Sequence, residues 1–314
     1  MLGRPWIEAM KSAIDLVIPT YNRTTALAVT LTSLCAQHFR DFRILVSDQS
    51  DRQAPFETGE IQAVRRVLEL HGQSVEFHKN LPRRGLAQQR QFLLDHVSAP
   101  YVLYLDDDLI LEPYVIGRMF QAIREEACGF VGCGVIGLSY LDDFRPHEQV
   151  VQPWPGPVQP ETVLPDPQAW QRYRLHNAAN LFHVQEQQGY NARLLPSDDI
   201  PSCKYRVAWI GGCVLYDTAK LRSVGGFEFW NDLPSAHAGE DVLAQLRVMA
   251  RFGGCGLMPS GVYHQELSTT VDDRRVDAAR VLSILNASSG SASSIVYDTQ
   301  TGIPSADSLL PKDA

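Results

Sequence analysis

No stretch of the 314-residue sequence approaches the ~18 uncharged apolar residues that a membrane-spanning helix needs. No transmembrane segment is therefore expected, which leaves only peripheral membrane contact open. The opening segment, MLGRPWIEAMKSAIDLVIPT, lacks a continuous apolar stretch and a cleavage signature, so no signal peptide is read. Cysteine is sparse and scattered (Cys35, Cys128, Cys133, Cys203, Cys213, Cys255), with no CxxC pair. That argues against a zinc site and for reduced thiols in a cytoplasmic protein. Positive charge is also short: 28 Lys+Arg face 36 Asp+Glu, for a formal net charge of -8. A nucleic acid is excluded as the main partner on that balance, as is an anionic membrane surface. There is no internal repeat.

What is present is an alternation of strands and helices. IDLVIP (14–19) reads as a buried strand, and Leu27, Leu31 and Leu34 follow at helical spacing. RILVSD (43–48) is the next strand, IQAVRRVLELHG (61–72) a helix, VEFH (75–78) a strand, GLAQQRQFLLDHV (85–97) a helix and YVLYL (101–105) a strand. Such alternation predicts an α/β fold with a mostly parallel central sheet and helices on both faces. Ligands in these sheets bind beyond the carboxyl ends of the strands, at the topological switch point. Three strands end there in polar groups, PTYNR, SDQSD and DDD.

From about residue 139 the periodicity fades into a proline-rich, loop-rich insertion. YRVAWIGGCVLYD (205–217) reads as a strand interrupted by two glycines, EDVLAQLRVMARFG (240–253) as a helix, and 269–285 as a final helix. The expected organisation is one domain over 1–285, with a nucleotide-binding half (14–138) and an acceptor-binding half (139–268), followed by a serine- and glycine-rich tail over 286–314.

Asp106, Asp107 and Asp108 stand together with no basic residue among them. Adjacent carboxylates raise one another's pKa, so either a cation offsets them or all three face water in an acidic turn. The order VIPTYNR, VSDQSD, an arginine in GLAQQRQ, LDDD, GG…VGGF and GEDV, over roughly 14–265, resembles the inverting glycosyltransferases of family 2, which have the GT-A fold. The resemblance leaves out the insertion at 139–205 and the tail.

The resemblance implies transfer of a sugar from a nucleoside-diphosphate sugar to an acceptor hydroxyl with inversion, assisted by Mn²⁺ or Mg²⁺. It places Asp108 on the metal, joined by Asp106 and by His264 as a third ligand, with Asp106 also toward the ribose. Asp107 goes to supporting bonds around the nucleotide. Asp48 is implied as the acceptor of a hydrogen bond from the base, which favours a UDP or dTDP donor; a turn cap is its plain alternative. Pro19 and Thr20 shape the turn beneath the base, on which Tyr21 either stacks or is a core tyrosine. Arg23 and Arg90 offset phosphate charge, although Gln91 departs from the family's asparagine. The general base falls at Glu240–Asp241, with Asp241 the usual occupant. Acidic residues also suit a helix N-terminus for its dipole, which would lower their pKa. Gly211 and Gly212 let backbone approach the donor sugar or acceptor, and Gly225–Gly226 fit a turn. Trp154, Trp209 and Trp230 are candidate stacking faces as well as candidate core residues.

The implied acceptor is a carbohydrate or glycolipid, in polysaccharide, glycolipid or natural-product glycosylation, and the proline-rich insertion is the candidate for recognising it. A retaining enzyme of the same fold and a non-catalytic nucleotide-sugar binder are the alternatives. A sugar nucleotidyltransferase would carry a glycine-rich loop where this chain has PTYNRTT. The QxxRW signature of processive polysaccharide synthases is absent after GED.

Overall fold

The computed structural model describes residues 12–51, 54–190, 202–271 and 273–285. Strand β1 (Ile14–Thr20) is buried along its whole length, as an apolar run covered on both sides must be. It is followed by α1 (Thr24–Leu34), β2 (Phe42–Asp48), α2 (Gly59–Leu70), β3 (Val75–Lys79), α3 (Leu86–His96) and β4 (Tyr101–Leu105). Each of these elements falls within two residues of its expected position. The chain continues through β5 (Leu109–Leu111), α4 (Val115–Glu126), β6 (Phe130–Gly132), β7 (Val135–Ile136), α5 (Asn180–Gln187), β8 (Cys203–Tyr205), β9 (Cys213–Asp217), α6 (Thr218–Ser223), α7 (Glu240–Phe252), β10 (Gly254–Met258), β11 (Val262–His264) and α8 (Ala278–Val281).

Among the described residues, eight strands form one sheet in the order β3-β2-β1-β4-β9-β6-β10-β8, and β5-β11-β7 form a second, small sheet. The block β3-β2-β1-β4 is parallel throughout, while β9 runs antiparallel between β4 and β6. Alternate residues of the central strands feed two cores. Leu16 and Ile18 meet the leucines of α1 together with Met119 and Ile123 of α4. Val17 and Tyr104 meet Leu93 and Leu94 of α3 and Leu243, Leu246 and Met249 of α7. Helices thus cover both faces, and β1 lies at the point where the strand order reverses. The carboxyl ends of β1 and β4 open there into a crevice.

Three expectations change. The strand expected over 205–217 is two strands, β8 and β9, which lie at different places in the sheet; the two glycines between them line a cavity beside the crevice. The helix expected over 269–285 shrinks to α8, because the Asp277 side chain caps Ala279 N–H and Leu282 turns to extended backbone. The stretch before it runs as a strap along the crevice, held by Arg23 donating to the Ser268 carbonyl and Arg83 to that of Thr270. The insertion is also more than loop: it contains a 3-10 stretch over Gln168–His176 and helix α5. Trp170, Leu175, Leu181 and Val184 from this region are buried in the main core. The tail over 286–314 lies outside the described residues.

Candidate active site

A cleft of about 570 Å³ opens at the carboxyl ends of β1 and β4. It is bounded by the β1 turn, α3, the aspartate cluster, the N-terminus of α7, β11 and the strap. Pro19, Thr20, Tyr21, Arg23, Arg90, Asp106, Asp107, Asp108, Glu240, Asp241 and His264 all line it, so eleven residues singled out from sequence are brought together here.

The three aspartates have separate surroundings. Asp106 is anchored by its own N–H on the Gly212 carbonyl (2.9 Å), and its Oδ1 accepts from Arg90 Nη2 at 3.2 Å. Burial raises its pKa and Arg90 opposes that rise. Asp107 Oδ2 accepts from the Thr20 hydroxyl at 2.6 Å, and its Oδ1 accepts from Arg23 at 3.3 Å. Burial lifts this carboxyl to about 7, because a tucked-away charge is costly even with partners. Asp108 faces Arg23 at 2.6 Å and His264 Nε2 at 3.4 Å, both on Oδ2. Burial opposes its ionisation, but the His264 hydrogen bond and the two cations hold it below the usual carboxylate range. The same contact with Asp108 raises His264. Arg23, on Asp107 and Asp108, and Arg90, on Asp106, are thus the guanidinium cations that offset the cluster in this structure.

Across the cleft, Gly239 ends the approach to α7 in a left-handed conformation (φ 74°). A Cβ there would stand 2.3 Å from Asp277, so glycine is required to bring the α7 N-terminus this close. The buried Arg90 guanidinium donates Nε to Glu240 Oε1 at 3.1 Å while holding Asp106. Asp241 carries no such partner. Burial, joined by the negative charge of Glu240, raises its carboxyl to about 7, against the pull of Arg90. The helix-dipole argument pointed the other way and is corrected here: desolvation outweighs the dipole. Glu240 is tied to Arg90, and Asp241 is the carboxylate left free to take a proton.

Several expectations about the base-binding end are also revised. Asp48 is fully buried; its Oδ1 accepts from Ser50 N–H at 2.7 Å and its Oδ2 from Lys79 at 2.8 Å. It caps its own turn and does not line the cleft. Asp51 instead accepts from the Tyr21 hydroxyl at 2.6 Å. Tyr21 is no core residue: its ring lies under the Arg83 guanidinium, 3.8 Å away, beside a second cavity lined by Gln49 and Gln89. Gln91 does not line the site; its Oε1 accepts from Phe227 N–H at 2.8 Å.

Gly211 and Gly212 line an adjoining cavity instead of the main cleft. Gly225 and Gly226 take positive φ in a turn, as expected. Of the three tryptophans only Trp209 reaches the site; Trp154 sits under Arg206 (4.0 Å), and Trp230 packs against the core. Arg83, Gln89, Tyr173 and the strap residues were missed. Gln89 lies in α3, on its buried face against the β1 turn; the others come from irregular segments, where no periodicity marks which face a side chain takes.

Comparison with known proteins identifies the family. The profile of "Glycosyl transferase family 2" matches residues 15–184, more than half of the chain. No curated protein sequence matches. Among solved structures, the S. aureus TarS 1–349 fragment in complex with UDP-GlcNAc is similar with a TM-score of 0.49 and 15% identity, covering 82% of this chain and 60% of that one. The mannosyltransferase PcManGT from Pyrobaculum calidifontis, in complex with GDP-Man and Mn²⁺, has a TM-score of 0.48 and 14% identity, over 84% of this chain and 59% of that one. The chain thus spans less than two thirds of the length of either. The chain belongs to glycosyl transferase family 2.

Proposed function

We propose that this enzyme transfers a sugar from a nucleoside-diphosphate sugar to an acceptor hydroxyl, with inversion and with help from a divalent cation. The observation that carries the reading is Asp241: a carboxyl raised to about 7, whose Oδ1 accepts only from the Val242 N–H and which has no cationic hydrogen-bond partner, in the same cleft as the aspartate cluster and Arg90. A base of that pKa is half ionised near neutrality and strong enough to take a hydroxyl proton as the bond forms. Glu240 and Asp106, joined through Arg90, set the charge around it. In-line attack from the Asp241 side, opposite the diphosphate, produces inversion.

The donor set suits a hard cation in part. Asp108 and His264 converge on one point, giving one anionic oxygen and one imidazole nitrogen. Among the described residues no group of three His, Cys, Asp or Glu side chains makes a self-sufficient cage. One or two protein ligands completed by phosphate oxygens and water is a common arrangement for Mg²⁺ and suits Mn²⁺ equally. When bound, the ion would neutralise charge on the departing diphosphate. Arg23 holds the same Asp108 oxygen and would give it up to the ion, freeing its guanidinium for phosphate.

UDP or dTDP remains the favoured nucleotide, on different grounds. With Asp48 sealed off, Gln49 and Gln89 line the cavity beside Tyr21. The Gln89 amide nitrogen is engaged on the Thr20 and Ser47 carbonyls and that of Gln49 on Gln88, which leaves their amide oxygens to accept from the ring N–H of uracil or thymine. The test is calorimetric titration with UDP, dTDP and GDP, with and without Mn²⁺, on the wild type and Asp108→Ala. Metal-dependent binding of one nucleotide, lost in the variant, is the expected result. Equal binding in EDTA would remove the metal from the reading, and no binding at all would remove the donor.

A further inference from the structure

Next to the main cleft lies a separate cavity of about 230 Å³. The two adjoin across Asp106, Trp209 and His264, which line both. The rest of the smaller cavity is made chiefly by Tyr173, His176 and Asn177, which belong to the insertion, and by the backbone of Gly211 and Gly212.

Its chemistry differs from that of the main cleft. The rings of Tyr173 and Trp209 are stacked, 5° apart in plane with centroids 6.3 Å apart. The Tyr173 hydroxyl and the Asn177 amide oxygen have no hydrogen-bond partner among the described residues, whereas the Asn177 amide nitrogen is fixed on Glu148 at 3.0 Å. His176 is bound to the Tyr205 hydroxyl at 3.0 Å, and burial lowers it to about 4, so it is neutral. The charged groups at the seam are already matched, Asp106 by Arg90 and His264 by Asp108. The cavity therefore offers aromatic faces and neutral polar groups, with no unpaired charge to hold an anion.

We infer that this cavity is the acceptor subsite and that it takes an uncharged pyranoside, stacked on Trp209 and Tyr173 with its hydroxyls at the Tyr173 and Asn177 edge. A pyranose has a C–H face that packs on aromatic rings and a rim of neutral hydroxyls that suits such polar edges. The passage to the base is short. A Cβ placed on Gly211 would lie 3.8 Å from the Trp209 ring and 3.9 Å from Asp241 Oδ2. A sugar on the platform thus presents a hydroxyl across Gly211 to Asp241. The inference rests on the transferase reading above and adds the acceptor's chemical class.

The test follows the Trp209 indole N–H by ¹⁵N-resolved NMR, assigned by its disappearance in Trp209→Phe. The full-length protein, with UDP and Mn²⁺ present, is titrated with methyl glucoside, galactoside, mannoside and N-acetylglucosaminide. UDP binding is measured on every sample by calorimetry. Saturable movement of the Trp209 signal by at least one pyranoside is expected, weakened about tenfold in Tyr173→Ala. Gly211→Ala, whose new methyl lies at ordinary contact distance, should keep the fold and block the passage. If UDP binds but no pyranoside moves Trp209, the subsite is overturned while the transferase reading survives. If UDP alone moves Trp209, the cavity belongs to the donor and the inference falls. If pyranosides bind and no nucleotide does, the cavity is a sugar site without a transferase, which overturns its role as an acceptor subsite.

Discussion

The cleft wall formed by the ends of β1 and β4 holds nearly every polar group in a pair before any ligand arrives. Thr20 fixes Asp107, Arg23 spans Asp107 and Asp108, and Arg90 ties Asp106 to Glu240. The wall of the adjoining cavity made by Tyr173, Asn177, Trp209 and the two glycines is neutral, and its Tyr173 hydroxyl and Asn177 amide oxygen have no hydrogen-bond partner among the described residues. The first wall stores charge in a rigid frame on strands, which suits a diphosphate whose own charge is fixed. The second offers surface and unspent hydrogen bonds, which suits a ligand recognised by shape. Asp241 lies where they meet, and it alone among the catalytic carboxyls has no cationic hydrogen-bond partner.

The sharpest way to break this contrast is to remove that carboxylate. Asp241→Asn should cut transfer by roughly 10²–10⁴-fold and leave UDP affinity unchanged in calorimetry, since the side chain touches none of the paired groups. A collapse of UDP affinity would move Asp241 to the charged wall. Next comes pH. A base raised to about 7 is protonated below that value, so the transfer rate should fall about tenfold for each unit of further acidification. Glu240→Gln removes a negative neighbour that helps raise Asp241, so the acidic limb should move to lower pH, read from the rate profile of the variant. An unmoved limb would separate Glu240 from the titrating group. The smallest effect is expected at Arg83→Ala, which removes the guanidinium over Tyr21 and should weaken UDP binding by about two- to fivefold. A loss much larger than that would place Arg83 on the phosphates.

The two walls were also unequally legible in the sequence. The charged wall sits on strand ends, where a period-2 or buried run stops at polar residues, so Thr20, Asp106 and Asp108 announced themselves. Arg90 and the α7 start were readable by the resemblance of their motifs. Asp48 was misread because sequence cannot show that Lys79, on the neighbouring strand β3, reaches across to neutralise it. The neutral wall was nearly invisible. Tyr173 and Asn177 lie in or beside a 3-10 stretch without apolar periodicity, and only Trp209, beside the two glycines, stood out. The stretch 269–285 was expected as a helix; before α8 the Thr270 carbonyl instead accepts from Arg83, 187 residues away, beside the Ser268 carbonyl that accepts from Arg23.

The burial of Trp170, Leu175, Leu181 and Val184 in the main core bears on how acceptor choice can change. A surface loop can be exchanged like a cassette, and its sequence can drift without touching the rest of the molecule. Here the segment that carries Tyr173, His176 and Asn177 also holds the main core together. Excising it would open the interior instead of merely unseating an acceptor. Retuning the enzyme toward a new sugar is therefore a problem of point changes at three or four positions on a fixed frame. Variants that reshape the frame itself will be selected for stability before they are selected for substrate.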